Sequence, residues 1–356
     1  MTVCYFTVVT RNYLVYADTL YESLIQVSPA CKFCCLVVDA IRSEDEGVLA
    51  GVRFEILYPL ELDIKNFSEM TVFYNAFELS NALKAVVMRH VIFDLGFISG
   101  VYLDSDILVF GSFDPILEAM QTASFGFTPH FTTPIPSDGL KPNDLTFLQS
   151  GIFNGGVWIF NKTDSSKPVL EWLVNASEIY GFNDQPNGMF VDQKLICQAA
   201  GIFNKCFSAI NNIGCNVAYW NLHERSIDRI GDDYYVNSQP LVCFHYSGYK
   251  PGATHLSLHS ERFKNAEQES MALKGILLRY ANLLERSELK FSLGIPYRFN
   301  ELTGVKLDPL IRRYYFYNKT VNVPILTKFL LKFIRRFKSW IHRMDVALSQ
   351  KTGCEK

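Results

Sequence analysis

VYLDSDILVF, residues 101–110, places two aspartates, Asp104 and Asp106, between two apolar runs. An apolar run closed by acids reads as a buried strand arriving at the edge of a sheet. Residues i and i+2 of an extended backbone point to the same side, so this spacing predicts converging carboxylates. Like charges held together repel unless a cation joins them. A hard divalent ion, Mg²⁺ or Mn²⁺, takes oxygen ligands and bridges readily to a substrate diphosphate. The same residues also fit a strand-end turn with solvated acids.

Working outward, the first hundred residues alternate strand and helix patterns. Val3 to Thr10, Phe33 to Val38 and Phe54 to Tyr58 read as strands, and Tyr13 to Leu24 and Phe77 to Ile92 as helices. Gly100 to Asp104 is the next strand. This alternation predicts an α/β chain with a mostly parallel sheet and helices on both faces. Ligands of such sheets bind beyond the carboxyl ends of the strands, so Thr10 to Tyr13, Asp39 and Asp104 should share one edge. Further on, Ser124 to Thr128, Gly156 to Asn161 and Leu241 to His245 read as strands, and Lys167 to Tyr180 and Val191 to Ala200 as helices. Thr133 to Ser150 is rich in Pro, Gly and Asp and reads as a long loop, which usually marks a lid or binding segment. From about Arg262 the pattern turns helical, which divides the chain into 1–261 and 262–356.

Composition narrows the function classes. The chain has 356 residues and a net charge of −2, which leaves no overall nucleic-acid footprint. Nine cysteines, odd in number and irregularly spaced, argue for a reducing compartment. Cys31-x-x-Cys34 has no second pair to complete a zinc site. The start MTVCYFTVVTRN lacks the basic and apolar regions of a secretory signal, and no uncharged apolar run is long enough to span a bilayer. The expected location is the cytoplasm, peripheral at the membrane face.

Several segments together resemble the GT-A glycosyltransferases, family 8 and its relatives, whose Asp-x-Asp motif Asp104-Ser-Asp106 matches. The resemblance implies a Rossmann-like mixed sheet flanked by helices, here with a helical C-terminal appendage. TVVTRNYLVYADTLYESL resembles the family's first strand and helix, implying Thr10, Asn12 and Tyr13 as base and ribose contacts. Lys84 lies where the family carries a basic donor-binding residue. FNGGVWIFN implies Asn154, Gly155 and Gly156 at the sugar, and FVDQKL implies Asp192 and Gln193 as the catalytic pair. FHYSGYKPG resembles His-x-x-Gly-x-x-Lys-Pro-Trp, implying His245 as third metal ligand with Gly248 and Lys250 at the diphosphate. Its Lys comes one residue early, and Gly252 replaces the Trp.

The implied activity is metal-dependent, retaining transfer of a hexose from a nucleotide-diphosphate sugar to a glycan or lipid-linked acceptor, with Mn²⁺ or Mg²⁺. An imidazole beside two carboxylates suits Mn²⁺. Each residue also has a plainer reading. Asp192 could N-cap its helix, Gly155-Gly156 could mark a bulge, Lys84 could lie on a solvated helix face, and Tyr13 could be core. Trp220, Asn221, His223 and Arg225 in AYWNLHER form a polar-aromatic cluster suited to acceptor binding or, for the Trp, to burial. Leu330, Phe333, Ile334, Phe337 and Ile341 share one helical face opposite Lys328, Lys332, Arg335, Arg336 and Arg343, the pattern of a helix lying on an anionic membrane. A sugar-nucleotide pyrophosphorylase is the rival enzyme, but TVVTRNYL lacks its Gly-rich loop. A non-catalytic membrane-surface scaffold is the rival outside enzymology.

Overall fold

Nearly unbroken apolar sequence makes Val3–Val9 the central strand, β1, buried along almost its whole length. A strand buried in this way needs cover on both faces. The computed structural model, which describes residues 2–264 and 270–299, supplies that cover with helices. In chain order the first elements are β1, α1 (Leu14–Val27), β2 (Lys32–Val37), β3 (Glu55–Leu57), α2 (Phe67–Phe73) and α3 (Ala76–Arg89). Next come β4 (Ser99–Leu103), β5 (Ile107–Val109), α4 (Asp114–Ala119), β6 (Phe125–Pro129), α5 (Asp144–Ser150), β7 (Phe153–Asn161) and α6 (Ser166–Tyr180). The chain continues through β8 (Asn183–Asp184), β9 (Met189–Phe190), α7 (Val191–Ile202), β10 (Ile227–Ile230), β11 (Asp233–Val236), β12 (Gln239–Pro240), β13 (Cys243–His245) and α8 (Met271–Glu288).

Six strands form the main sheet in the order β3-β2-β1-β4-β7-β6. The pairs β3–β2, β2–β1 and β1–β4 are parallel, while β7 runs antiparallel to both β4 and β6. The fold is therefore α/β with a mixed sheet flanked by helices, as expected. The carboxyl ends of β1, β2 and β4 share one edge, which brings Thr10, Asp39 and Asp104 to the same side.

Period-two alternation sorts the strand side chains into two layers. Tyr5, Val9, Val101, Leu103 and Ile159 join α1, β5, β13 and α8 in one apolar cluster. On the other face β4 lies so close to α3 that a Cβ on Gly100 would sit 2.6 Å from Met88 Sδ. Helix α3 starts where it does because Asn75 and Glu78 form a reciprocal capping box. Helix α8 packs on α1, and Tyr280 stacks on Tyr246 with ring centroids 3.9 Å apart. That contact braces the chain immediately after β13. The described residues, 2–264 and 270–299, belong to one compact unit.

Three sequence expectations need correction. The Thr133–Ser150 segment is not loop throughout, because Asn143 and Thr146 cap a helical turn that becomes α5. Strand β7 begins at Phe153 rather than Gly156, since its early residues still pair with β6 across an irregularity in register. Asp104 and Asp106 are not on a strand. Strand β4 ends at Leu103, and Ile107 N–H donates to Asp104 C=O at 3.1 Å, closing a turn. The amphipathic segment 328–343 lies outside the described residues, and no helix among the described residues is long and apolar enough to cross a membrane.

Candidate active site

A turn, not a pleat, brings the two carboxylates together. Asp104 N–H donates to Gly156 C=O at 2.8 Å, anchoring the turn to β7. On leaving it the chain forms β5, which pairs antiparallel with β13 and sets His245 opposite Ile107. A residue 139 positions beyond Asp106 in sequence thereby comes to lie beside it. His245 Nε2 is 3.0 Å from Asp106 Oδ1 and 3.8 Å from Asp104 Oδ2. One ligand atom from each of the three falls within 4.8 Å of the others. Burial works against charge on the His245 ring, but Asp106 outweighs it and holds the imidazole above its usual pKa. For Asp106 burial pushes upward and His245 pulls down, for a net lowering. A proton and a metal ion compete for such a nitrogen. Two carboxylates and one imidazole gathered at one point form a candidate site for a divalent cation.

The trio lines a cleft of about 640 Å³. Thr10, Tyr13, Lys84, Asn154, Gly155, Asp192, Gln193, Trp220 and Gly248 line it too. Tyr13 is half exposed at the cleft, and its ring leans on Tyr16. Asn12, Gly156, His223, Arg225 and Lys250 are not among the lining residues. Asn12 accepts from Thr10 Oγ1 at 2.7 Å. The Arg225 guanidinium is buried and donates to Cys215 C=O at 2.9 Å, while His223 lies by Thr133 C=O. Lys250 is exposed on the turn beyond β13. Within AYWNLHER, then, Tyr219 and Trp220 border the cleft, while His223 and Arg225 do not.

Lys84, from α3, is buried and already engaged on three sides. Its ammonium lies 3.0 Å from Asp104 Oδ1 and 2.9 Å from Asp192 Oδ2, and it donates to Gly155 C=O at 3.0 Å. It also sits over the Tyr102 ring, 4.6 Å from the centroid. Burial alone would lower its pKa, and the two aspartates more than reverse that. An ammonium has three donors, so this one organises carboxylates in addition to facing the cleft. Asp192 is not the N-cap of α7; that position belongs to Phe190. Burial raises the Asp192 carboxyl to about 6 despite the opposing pull of Lys84. Immediately before it, Val191 adopts φ +41°, a conformation β-branched residues avoid at a cost of roughly 1–3 kcal/mol.

The two glycines of FNGGV make room for side chains. A Cβ on Gly155 would come within 2.5 Å of Asp192 Oδ2, and one on Gly156 within 2.6 Å of His245 Cε1. The register irregularity facing them is the bulge that two glycines also suggested. Gln193 ties the site together, donating to Ser150 C=O at 3.0 Å and accepting from Gly155 N–H at 3.3 Å. Sequence reasoning missed His130, Asn216 and Tyr102. Burial pushes His130 down to about 3, so a neutral imidazole lines the cleft beside Phe147 and Trp220. The Tyr102 hydroxyl donates to Asp104 Oδ1. Tyr102 stands two residues before Asp104 in the quoted stretch, and that i, i+2 relation was the available signal.

No protein-family model matches the chain. A Bacillus subtilis (strain 168) protein, YfnF, described as uncharacterized, is 23% identical over 253 residues, 70% of this chain and 82% of that protein. Among solved structures, the galactosyltransferase LgtC in complex with donor and acceptor sugar analogues aligns at 15% identity and a TM-score of 0.48, over 85% of this chain and 99% of that one. The glycosyltransferase GlyE of Streptococcus pneumoniae TIGR4 aligns at 14% identity and a TM-score of 0.42, over 83% of this chain and 65% of that one.

Proposed function

We propose that this chain is a metal-dependent, retaining GT-A glycosyltransferase that moves a hexose from a nucleotide-diphosphate sugar to a glycan or lipid-linked acceptor. The observation that carries the reading is the convergence of Asp104, Asp106 and His245 within 4.8 Å in a large cleft at the carboxyl edge of the parallel strands. Asp104, Asp106 and His245 would hold Mn²⁺ or Mg²⁺, which supplies charge neutralisation for the departing nucleoside diphosphate. Tyr13 and Thr10, at the end of β1, offer a flat ring and a hydroxyl for base and ribose. Gly248, with φ +71°, turns the chain at the cleft wall just past His245.

Asp192 and Gln193 hold the sugar end. Retention needs either a carboxylate nucleophile or same-face attack assisted by the leaving phosphate. The geometry favours the second, because Asp192 Oδ2 is engaged by Lys84 at 2.9 Å and the carboxylate is buried. Lys84 keeps that carboxylate and Asp104 in register with each other, so it serves the donor site through them. Trp220 and the neutral His130 border the remaining space, which suits the acceptor. An anionic membrane is proposed as partner of the basic face of 328–343. Liposome flotation tests it, since a chain ending near Pro324 should lose salt-sensitive binding.

The deciding assay is proton NMR of an early transfer product, in which the donor's anomeric configuration should persist. An inverted anomer would remove retention and Asp192 from the catalytic residues, while leaving the metal trio standing.

A further inference from the structure

The sequence does not single out Asn216, yet it occupies the position that decides what His245 can do. It is wholly buried and lies in the left-handed region at φ +55°, which asparagine tolerates better than most residues. Its strand-like neighbour Val217 accepts from His245 N–H at 2.8 Å, so the segment runs alongside β13 and sets the Asn216 amide against Nδ1 of the imidazole.

The orientation of that amide follows from a chain of donors and acceptors that starts at the backbone. Gly156 N–H can only donate, and it points at the Asn154 side chain at 2.9 Å, so the atom there is Oδ1. Asn154 Oδ1 can only accept, so the Asn216 atom 2.9 Å from it is the amide nitrogen, which also reaches Thr128 Oγ1 at 2.6 Å. Asn216 Oδ1 is then left facing His245 Nδ1 at 3.0 Å. An amide oxygen only accepts, so Nδ1 carries the proton. In the neutral ring Nε2 is therefore bare, and Nε2 is the nitrogen turned toward Asp106 and Asp104.

We propose that Asn216 is a positioning residue for the cation site, fixing through Gly156, Asn154 and itself the His245 tautomer that offers Nε2 as a ligand. The inference rests on the metal-site reading above and deepens it. Partners that hold the second nitrogen of a ligating histidine contribute roughly 10–100-fold in metal affinity.

The test is calorimetric titration of the full chain with Mn²⁺, free of any sugar donor. Asn216→Gly removes the amide while keeping the left-handed backbone accessible, and it should weaken Mn²⁺ binding by roughly 10–100-fold. Because Asn216 acts only through the ring, Asn216→Gly combined with His245→Ala should bind no more weakly than His245→Ala alone. Thr128→Val disturbs the same packing without breaking the chain of amides, and should stay close to wild type. Long-range proton–nitrogen NMR of the wild-type protein with Mg²⁺ should place the His245 proton on Nδ1. That readout stands even if Asn216→Gly does not fold. Wild-type affinity in Asn216→Gly, a loss that adds in full to that of His245→Ala, or a proton on Nε2 would overturn the assignment. If Asp106→Asn and His245→Ala bind Mn²⁺ as tightly as wild type, the metal reading itself falls, and that outcome is distinct from the first three.

Discussion

Two aspartates in one cleft, each beside a cationic or cation-capable partner, are driven in opposite directions. Asp106 is half-buried beside His245 and is held below the ordinary carboxylate value. Asp192 is buried beside Lys84, yet its carboxyl is raised to about 6. Desolvation is the largest influence on both, and the opposition decides the sign. His245 sits at 3.0 Å from Asp106, which also keeps some solvent. Lys84 must serve Asp104 as well as Asp192, so neither carboxylate has the ammonium to itself. A shared buried cation thus leaves one site poised near neutrality, while the other remains ionised and ready for a metal.

The largest expected effect comes from removing the shared cation. Lys84→Met leaves two carboxylates facing each other across apolar space, and breaking a buried pair in this way costs about 3–5 kcal/mol. Urea unfolding should register that loss. A variant as stable as wild type would mean that the Asp104–Lys84–Asp192 bridge contributes nothing to the fold.

Asp106→Asn should leave stability nearly intact and lower sugar transfer by at least ~10²-fold, the scale of losing one preorganised electrostatic group. A variant with near-wild-type turnover would collapse the distinction between the two aspartates. Asp192→Asn gives a smaller effect with a pH signature, read in metal-free protein. A carboxyl whose folded pKa lies above its unfolded value contributes stability that is full below about pH 4 and is lost as pH rises through about 6. Relative to wild type, Asp192→Asn should therefore gain stability between pH 4 and 7. A pH-independent difference would show that Lys84 offsets burial after all.

Asp18 offers a milder contrast outside the cleft. Burial raises its carboxyl, but hydrogen bonds from Lys290, Ser287 and Arg53 reverse that and lower it overall. Its contribution is thus present above the unfolded carboxylate value near 4 and is lost as pH falls through the lower folded value. Asp18→Asn should flatten the acid limb of the unfolding profile. An unchanged acid limb would remove the α1 to α8 link from the account.

Much of the fold was readable because its signals are local. The apolar runs of β1, β2 and β4 needed burial on two faces, and Thr10, Asp39 and Asp104 just beyond them marked one sheet edge. The turn at Asp104 was not readable, because i, i+2 acids look alike on a strand and in a tight turn. What separates the two is the long-range hydrogen bond from Asp104 N–H to Gly156 C=O. Helix α5 was hidden inside Pro- and Gly-rich sequence, with Leu145 and Leu148 exposed rather than patterned toward the core. The motif residues around the cleft could be named one by one, but their partners could not. Asn216 and His130 carry no spacing signal, and their roles arise from strands that meet only in three dimensions.

The central claim is that the Asp104, Asp106 and His245 site works on a nucleotide-diphosphate sugar. Its most direct test is release of nucleoside diphosphate from a panel of such donors, with Mn²⁺ and with excess chelator, for wild type and Asp106→Asn. The account predicts release from at least one donor that requires Mn²⁺ and falls by ~10²-fold or more in the variant. Equal release in chelator, or no release or binding of any donor with Mn²⁺ present, would contradict it.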